Sequence, residues 1–168
     1  MVNGLGGGLA GALGSLVGGL LADRMNRRLA YALAGGLTAL SAVGMLAAPL
    51  TPTTYMVGTL AYNFANGIAF ATWAGMVLEV VGDSAAVATK YALFVASSNF
   101  AISTVTKLNG MASGFRGFSG EWTLEAGARG ALAFDAGITV LGIVIVLGLV
   151  RYTAWRNARI AEATAPGA

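Results

Sequence analysis

The sequence predicts an all-α fold, a polytopic bundle of helices that cross a membrane. Hydrophobic residues make up 57% of the 168 positions, charged residues make up only 10%, and the mean hydropathy is +0.74. Soluble domains carry about 25% charged residues, because a surface that faces water has to be polar. The apolar residues also come in long blocks, and about 20 of them cross a hydrocarbon core of about 30 Å. We therefore expect most of the chain to lie in a lipid bilayer.

Five apolar blocks predict five transmembrane helices. They run over about residues 2–22, 29–50, 54–78, 89–111 and 130–150. The second block ends at Pro49 and Pro52, because proline interrupts a helix. Residues 1–150 therefore form the predicted transmembrane bundle, and residues 151–168 form a predicted polar tail in the cytoplasm.

The first block is crowded with glycines spaced four residues apart. The pairs are Gly4/Gly8, Gly7/Gly11 and Gly14/Gly18. Small residues at this spacing let the backbones of two membrane helices approach closely. A flexible leader or a signal peptide is the alternative, although a signal peptide has its basic residues before the apolar region and this block has them after it.

The positions of lysine and arginine predict the orientation, because cytoplasmic loops collect both residues. The set assigned to the cytoplasmic side is Arg24, Arg27, Arg28, Lys90, Arg151, Arg156 and Arg159. The outer set is Arg116 and Arg129, which Glu121 and Glu125 offset. The N-terminus is therefore predicted outside and the C-terminus inside. This pattern explains the net charge of +3 better than a nucleic-acid partner does.

The turn between the first two blocks reads Gly19-Leu20-Leu21-Ala22-Asp23-Arg24-Met25-Asn26-Arg27-Arg28. It resembles the cytoplasmic loop signature of the major facilitator superfamily, in which glycine, Asp-Arg and a basic pair join two membrane helices. The matching residues are Gly19, Ala22, Asp23, Arg24, Arg27 and Arg28. Asn26 stands where glycine is usual, and asparagine also tolerates a left-handed backbone. Asp23 is expected to accept hydrogen bonds from a neighbouring helix N-terminus. A generic basic loop with one incidental acid is the alternative.

In that superfamily the signature joins the second and third helices of each six-helix half. The resemblance implies that the five blocks are the second to sixth helices of a C-terminal half, with the first helix and the other half missing. It also implies part of a secondary active transporter in a bacterial inner membrane, which moves a small solute by alternating access. The missing half or a partner subunit would complete it, and this stretch alone is expected to be inactive.

A second, shorter resemblance covers the start of the fourth block. The segment Asp83-Ser84-Ala85-Ala86-Val87-Ala88-Thr89-Lys90-Tyr91-Ala92-Leu93 is similar to a loop and helix start in the branch of muropeptide permeases and acetyl-coenzyme A transporters. Lys90 replaces the more familiar glutamine of that branch. An ordinary amphipathic helix entry is the alternative.

Polar residues inside the blocks are candidates for a substrate path, because polar groups in a membrane are costly unless they are paired or face water. Asn63 and Asn66 lie one turn apart in the third block, and we predict that they share a face. Asn99, Ser103 and Thr106 form a second predicted stripe in the fourth block. Hydrogen bonding between helices is the alternative role for both sets. Trp73, inside the third block, is a candidate to stack on a solute ring, with lipid or helix packing as the alternative.

Lys107 and Asp135 form the most specific candidate pair. Each lies near the predicted outer end of its helix, so antiparallel neighbours would bring them to a similar depth. Pairing would lower the cost of burying either charge. Asp135 is then a candidate carrier of a coupling proton and Lys107 a candidate site for an anionic solute, whereas snorkelling of Lys107 to the interface is the alternative.

The residue inventory disfavours a membrane enzyme. The chain has no histidine and no cysteine, and its seven acids are scattered, so no catalytic constellation, metal site or cofactor site is expected. A small structural or assembly protein, acting through helix association in the glycine-rich first block, remains the alternative to a transporter.

Overall fold

A computed structural model describes residues 2–49, 51–82, 85–114 and 123–164. Over these ranges the chain folds as an all-α bundle of five α-helices, as predicted. They are α1 (Gly7–Arg24), α2 (Arg27–Ala47), α3 (Pro52–Val81), α4 (Val87–Ala112) and α5 (Leu124–Thr164). A short π-helical segment, Val2–Gly6, leads into α1.

Local chemistry sets the helix boundaries. The side chain of Asn26 caps α2 by accepting hydrogen bonds from the amides of Arg28 and Leu29, at 3.0 and 3.4 Å. Asn26 has φ −57° and ψ 120°, so it does not use the left-handed conformation that asparagine tolerates. The Asp23 carboxylate, which was predicted to serve a helix N-terminus, is exposed and has no hydrogen bond or ion pair with the described residues.

Proline separates α2 from α3, as the sequence indicated. α2 ends at Ala47, and α3 begins with Pro52 in its first turn, where the missing amide hydrogen costs nothing. The hydroxyl of Thr51 accepts a hydrogen bond from the Thr54 amide at 3.2 Å and caps α3. The connection between these two helices is therefore short.

The last helix is much longer than the predicted span of residues 130–150. α5 has 41 residues and continues without interruption through Arg151–Thr164, the first part of the predicted tail. At 1.5 Å per residue it is about 60 Å long, roughly twice the thickness of a hydrocarbon core. About half of the length of α5 therefore exceeds what a hydrocarbon core of this thickness can hold.

Four helices in the described ranges are long and apolar enough to cross a membrane. The spans are Gly4–Arg24, Arg27–Ala47, Pro52–Val81 and Leu124–Ile160. Large apolar side chains point outward from them, with Leu16 68% and Val144 61% exposed. Such apolar surface suits lipid better than water. α4 is less apolar, because Lys90, Asn99 and Lys107 interrupt its hydrophobic run, and its predicted crossing stays a prediction.

The helices pack side by side in the order α1, α3, α2, α5, while α4 contacts α3 and α5 more thinly. The buried core consists mainly of small side chains in α2 and α3. It includes Ala30, Ala34 and Ala42, which are completely buried, together with Ile68 and Val77. A core of alanines brings helix axes close together. In contrast, no residue of α4 over 87–112 is buried.

α1 and α3 run parallel and touch through their backbones. A Cβ atom added at Gly14 would collide with the carbonyl oxygen of Phe64, and one at Gly18 would lie 2.7 Å from the carbonyl oxygen of Ile68. A Cβ atom added at Gly67 would collide with the carbonyl oxygen of Gly11. Because backbone atoms cannot move aside as side chains can, glycine is required at these crossings.

Replacing Gly14 by alanine is expected to destabilise the bundle by about 1–3 kcal/mol, because the new methyl group overpacks the α1–α3 contact. The measurement is the free energy of unfolding in detergent micelles. The matched control in the same helix is Gly8→Ala, since nothing lies within 4 Å of its Cβ position. Alanine there is expected to be neutral or mildly stabilising. Equal effects of the two substitutions would contradict the close backbone contact.

Candidate functional site

A partly open region with polar side chains lies between α2, α3, α4 and α5. One cavity, of about 430 Å³, lies mainly between α2, α3 and α5. A second, of about 640 Å³, lies mainly between α3, α4 and α5. The two cavities share five lining residues, which are Tyr31, Tyr62, Asn66, Val105 and Asp135. We call this joint space the Asp135 cavity. Each of the two volumes lies in the range of about 300–1,000 Å³ that small-molecule sites occupy.

The carboxylate of Asp135 is the only acidic side chain that lines this cavity in the described structure. Its Oδ1 accepts a hydrogen bond from the Tyr62 hydroxyl at 3.1 Å. Its Oδ2 is buried and has no hydrogen-bond partner among the described residues. A buried polar atom without a partner is costly and uncommon, so its presence beside a cavity marks a place where a ligand or a proton would be stabilised.

The predicted pairing of Lys107 with Asp135 is wrong in this structure. Lys107 is exposed, it does not line the Asp135 cavity, and neither ion pair in the described residues includes it. The two residues were expected at comparable depth on neighbouring helices, but the side chain of Lys107 projects from a different face of α4. A tyrosine takes the place of the expected lysine.

α4 presents a different polar face to the cavity from the one predicted. Thr106 does line the cavity, whereas Asn99 and Ser103 are exposed and do not. Their place is taken by Ser98 and Asn109, which lie on the same side of α4 as Val105. The predicted stripe had the right spacing, but most of it faces away from the other helices.

The side chains of the two asparagines of α3 have different surroundings. Asn66 lines the Asp135 cavity, but the side chain of Asn63 donates a hydrogen bond to its own helix, to the carbonyl oxygen of Thr59 at 2.8 Å. Asn63 is not among the residues that line this cavity, and its role in a substrate path stays a prediction. Trp73 lies outside the cavity lining and packs against Phe70, with ring centroids 6.1 Å apart.

The arginines of the α1–α2 turn fix helix ends to one another. Arg27 donates a hydrogen bond to the carbonyl oxygen of Gly75 at 3.0 Å and lies 3.5 Å from Glu79. Arg28 donates to the Thr153 hydroxyl at 3.4 Å. The turn therefore contacts α3 and α5 at one end of the bundle. Of the other residues in the signature, Ala22 is buried, Gly19 has open space at its Cβ position, and Arg24 is exposed.

Sequence reasoning missed both tyrosines of the cavity. Tyr31 lies in the second turn of α2, close to Arg27 and Arg28, whereas Tyr62 lies well inside α3, away from the interfacial positions where tyrosine is usual. The position of Tyr62 could have identified it, because a phenol inside a membrane helix needs a hydrogen-bond partner there. No protein-family model, curated protein or solved structure matches the chain.

Replacing Tyr62 by phenylalanine is expected to lower the free energy of unfolding by about 0.5–2 kcal/mol, since it removes the one side chain among the described residues that donates a hydrogen bond to the Asp135 carboxylate. The control is Tyr31→Phe, which changes the same cavity but removes no hydrogen bond present in the structure. Combining Tyr62→Phe with Asp135→Ala, which removes the acceptor, completes a double-mutant cycle. Strict additivity of the two substitutions would show that the contact contributes nothing.

Proposed function

We propose that this chain is part of a secondary active transporter and that the Asp135 cavity is part of its solute path. The observation that carries the proposal is the Asp135 carboxylate, which faces a cavity between membrane-type helices with one oxygen unpaired. Ionisable residues inside membrane spans are rare and generally belong to ion or substrate pathways. Asp135 is the proposed carrier of a coupling proton.

The lining of the cavity supports a polar solute of modest size. Two phenol rings, amides such as that of Asn66, hydroxyls such as that of Thr106 and the Asp135 carboxylate offer both donors and acceptors beside apolar residues. A few converging polar groups on an apolar lining are typical of small-molecule sites. Such a solute would interact with Tyr31 and Asn66 while Asp135 exchanges its proton.

The α1–α2 turn supports membership of the major facilitator superfamily as part of the same proposal. In this proposal Arg27 and Arg28 hold the cytoplasmic ends of α1 and α2 against α3 and α5, as their contacts with Gly75 and Thr153 indicate. The other half of the carrier, on the same polypeptide or on a partner subunit, would close the solute path. The proposed orientation has the N-terminus outside and the C-terminus in the cytoplasm of a bacterial cell.

The test is solute uptake by the complete polypeptide that the gene encodes, reconstituted into liposomes with and without an imposed proton gradient. Peptides, sugars and cell-wall fragments are the solutes to screen. Asp135→Asn is expected to abolish stimulation by the gradient, because the amide cannot exchange a proton at this position, while solute exchange without a gradient continues. Gradient-driven uptake that is unchanged in Asp135→Asn would reject the proposed role.

Glu125→Gln is the matched control for this test. Glu125 lies on the same helix as Asp135, but its side chain is 65% exposed and pairs with Arg129 at 3.1 Å. An exposed pair of this kind contributes little to stability. We expect full gradient-driven uptake in this variant, and a loss equal to that of Asp135→Asn would show only a general sensitivity to charge on α5.

An assembly role is the second candidate, and a specific observation favours it. Gly4 and Gly8 are exposed, with nothing within 4 Å of their Cβ positions, although glycines at this spacing are suited to close helix contact. Sedimentation in detergent distinguishes the two functions. A stable oligomer that Gly8→Leu dissociates, in a chain that catalyses no uptake, would favour assembly over transport.

A further inference from the structure

The part of α5 beyond the apolar run carries a row of basic and aromatic side chains on one face. Residues 151–160 include three arginines and no acidic residue. The row consists of Arg151, Tyr152, Trp155, Arg156 and Arg159, all of them exposed. Their spacings of three, four and eight residues place them within an arc of about 140° on a helix of 3.6 residues per turn. We call this row the Arg151–Arg159 face.

The side chains of this face contact one another. The rings of Tyr152 and Trp155 have centroids 6.1 Å apart, and the guanidinium of Arg159 lies 5.2 Å from the centre of the Trp155 ring. An arginine over an indole forms a cation–π contact. These contacts align two aromatic rings and a cation along the same surface.

The position of the face follows from the contacts of α5 with the bundle. Thr153 points toward the other helices, because its hydroxyl receives the hydrogen bond from Arg28. The Arg151–Arg159 face lies on the other side of α5 and points away from the bundle. Arg151 directly follows the apolar residues that end at Val150, so the face begins where the hydrocarbon core ends. Ten residues of helix then cover about 15 Å, enough to cross the headgroup layer.

We propose that the Arg151–Arg159 face binds the headgroups of anionic phospholipids. Arginine forms charge-assisted hydrogen bonds with phosphate oxygens, and tyrosine and tryptophan prefer the layer between lipid tails and water. The face has positive charge without compensating acids over 151–160, and an anionic leaflet supplies the complementary charge. The site does not depend on transport. It requires only that α5 crosses a bilayer.

Energy transfer from Trp155 to labelled lipids tests this site. The full chain with Trp73→Phe and Trp122→Phe retains Trp155 as its only tryptophan. It is reconstituted into phosphatidylcholine vesicles that contain a small, equal fraction of either dansyl-phosphatidylglycerol or dansyl-phosphatidylcholine. The local enrichment of the anionic probe is expected to exceed that of the zwitterionic probe by about fivefold, the factor expected for one arginine that lies beside an anionic headgroup. Equal transfer to both probes would overturn the proposal.

Variants separate this face from the general charge of the protein. Arg151→Gln, Arg156→Gln and Arg159→Gln together are expected to bring the ratio of the two probes to about one, with the helical circular dichroism retained. The control is Arg24→Gln with Lys90→Gln, two exposed cations of the same end of the bundle that have no ion pair among the described residues. Loss of the ratio in the control alone would refute the assignment.

A soluble phosphate compound could bind the same arginines as a lipid headgroup does. A competition experiment distinguishes these two ligands. The probe ratio is measured with millimolar inorganic phosphate and with sodium chloride of equal ionic strength. Equal, modest screening by both salts supports headgroup binding. Abolition by phosphate alone would assign the face to a soluble phosphate compound and overturn the lipid site.

Discussion

The backbone contact between α1 and α3 is the constraint on which the rest of the arrangement depends. α3 contacts α1, α2 and α4, and α2 and α4 in turn contact α5, so the position of α3 influences the place of the other helices. Gly14, Gly18 and Gly67 allow the two axes to approach until backbone atoms touch. The residues of α3 at this contact, such as Phe64, lie about 180° around the helix from Tyr62 and Asn66. Fixing one face of α3 against α1 therefore aims the opposite face into the Asp135 cavity.

The helices themselves were predictable because membrane helices follow from composition and length alone. All five appear where the apolar blocks predicted them, and the boundaries near Asn26 and Pro52 follow from capping chemistry and from the missing proline amide. The end of α5 was not predictable in this way. Hydropathy reports where a helix leaves the lipid, but helix propensity and contacts such as Arg28–Thr153 decide where it ends.

The candidate site was predictable only in part, because spacing along a helix gives relative direction and not the identity of the neighbour. Asn66, Thr106 and Asp135 were identified for their polarity and do line the cavity. Lys107 was paired with Asp135 by depth, yet it points away, since the rotation of α4 is set by its packing against α3 and α5. Tyr62, whose hydroxyl donates a hydrogen bond to Asp135, was not predicted as a site residue, because a tyrosine in an apolar helix is commonly a packing residue.

Because α5 is one continuous helix, a tilt at one end moves the other end as well. Asp135 and Trp155 lie on the same continuous hydrogen-bonded rod, about 30 Å apart along its axis. A tilt of only about 10° at the level of the carboxylate displaces the indole sideways by about 5 Å, a shift comparable to one helical turn. A change in the tilt of α5 at the membrane surface would therefore also change the shape of the Asp135 cavity.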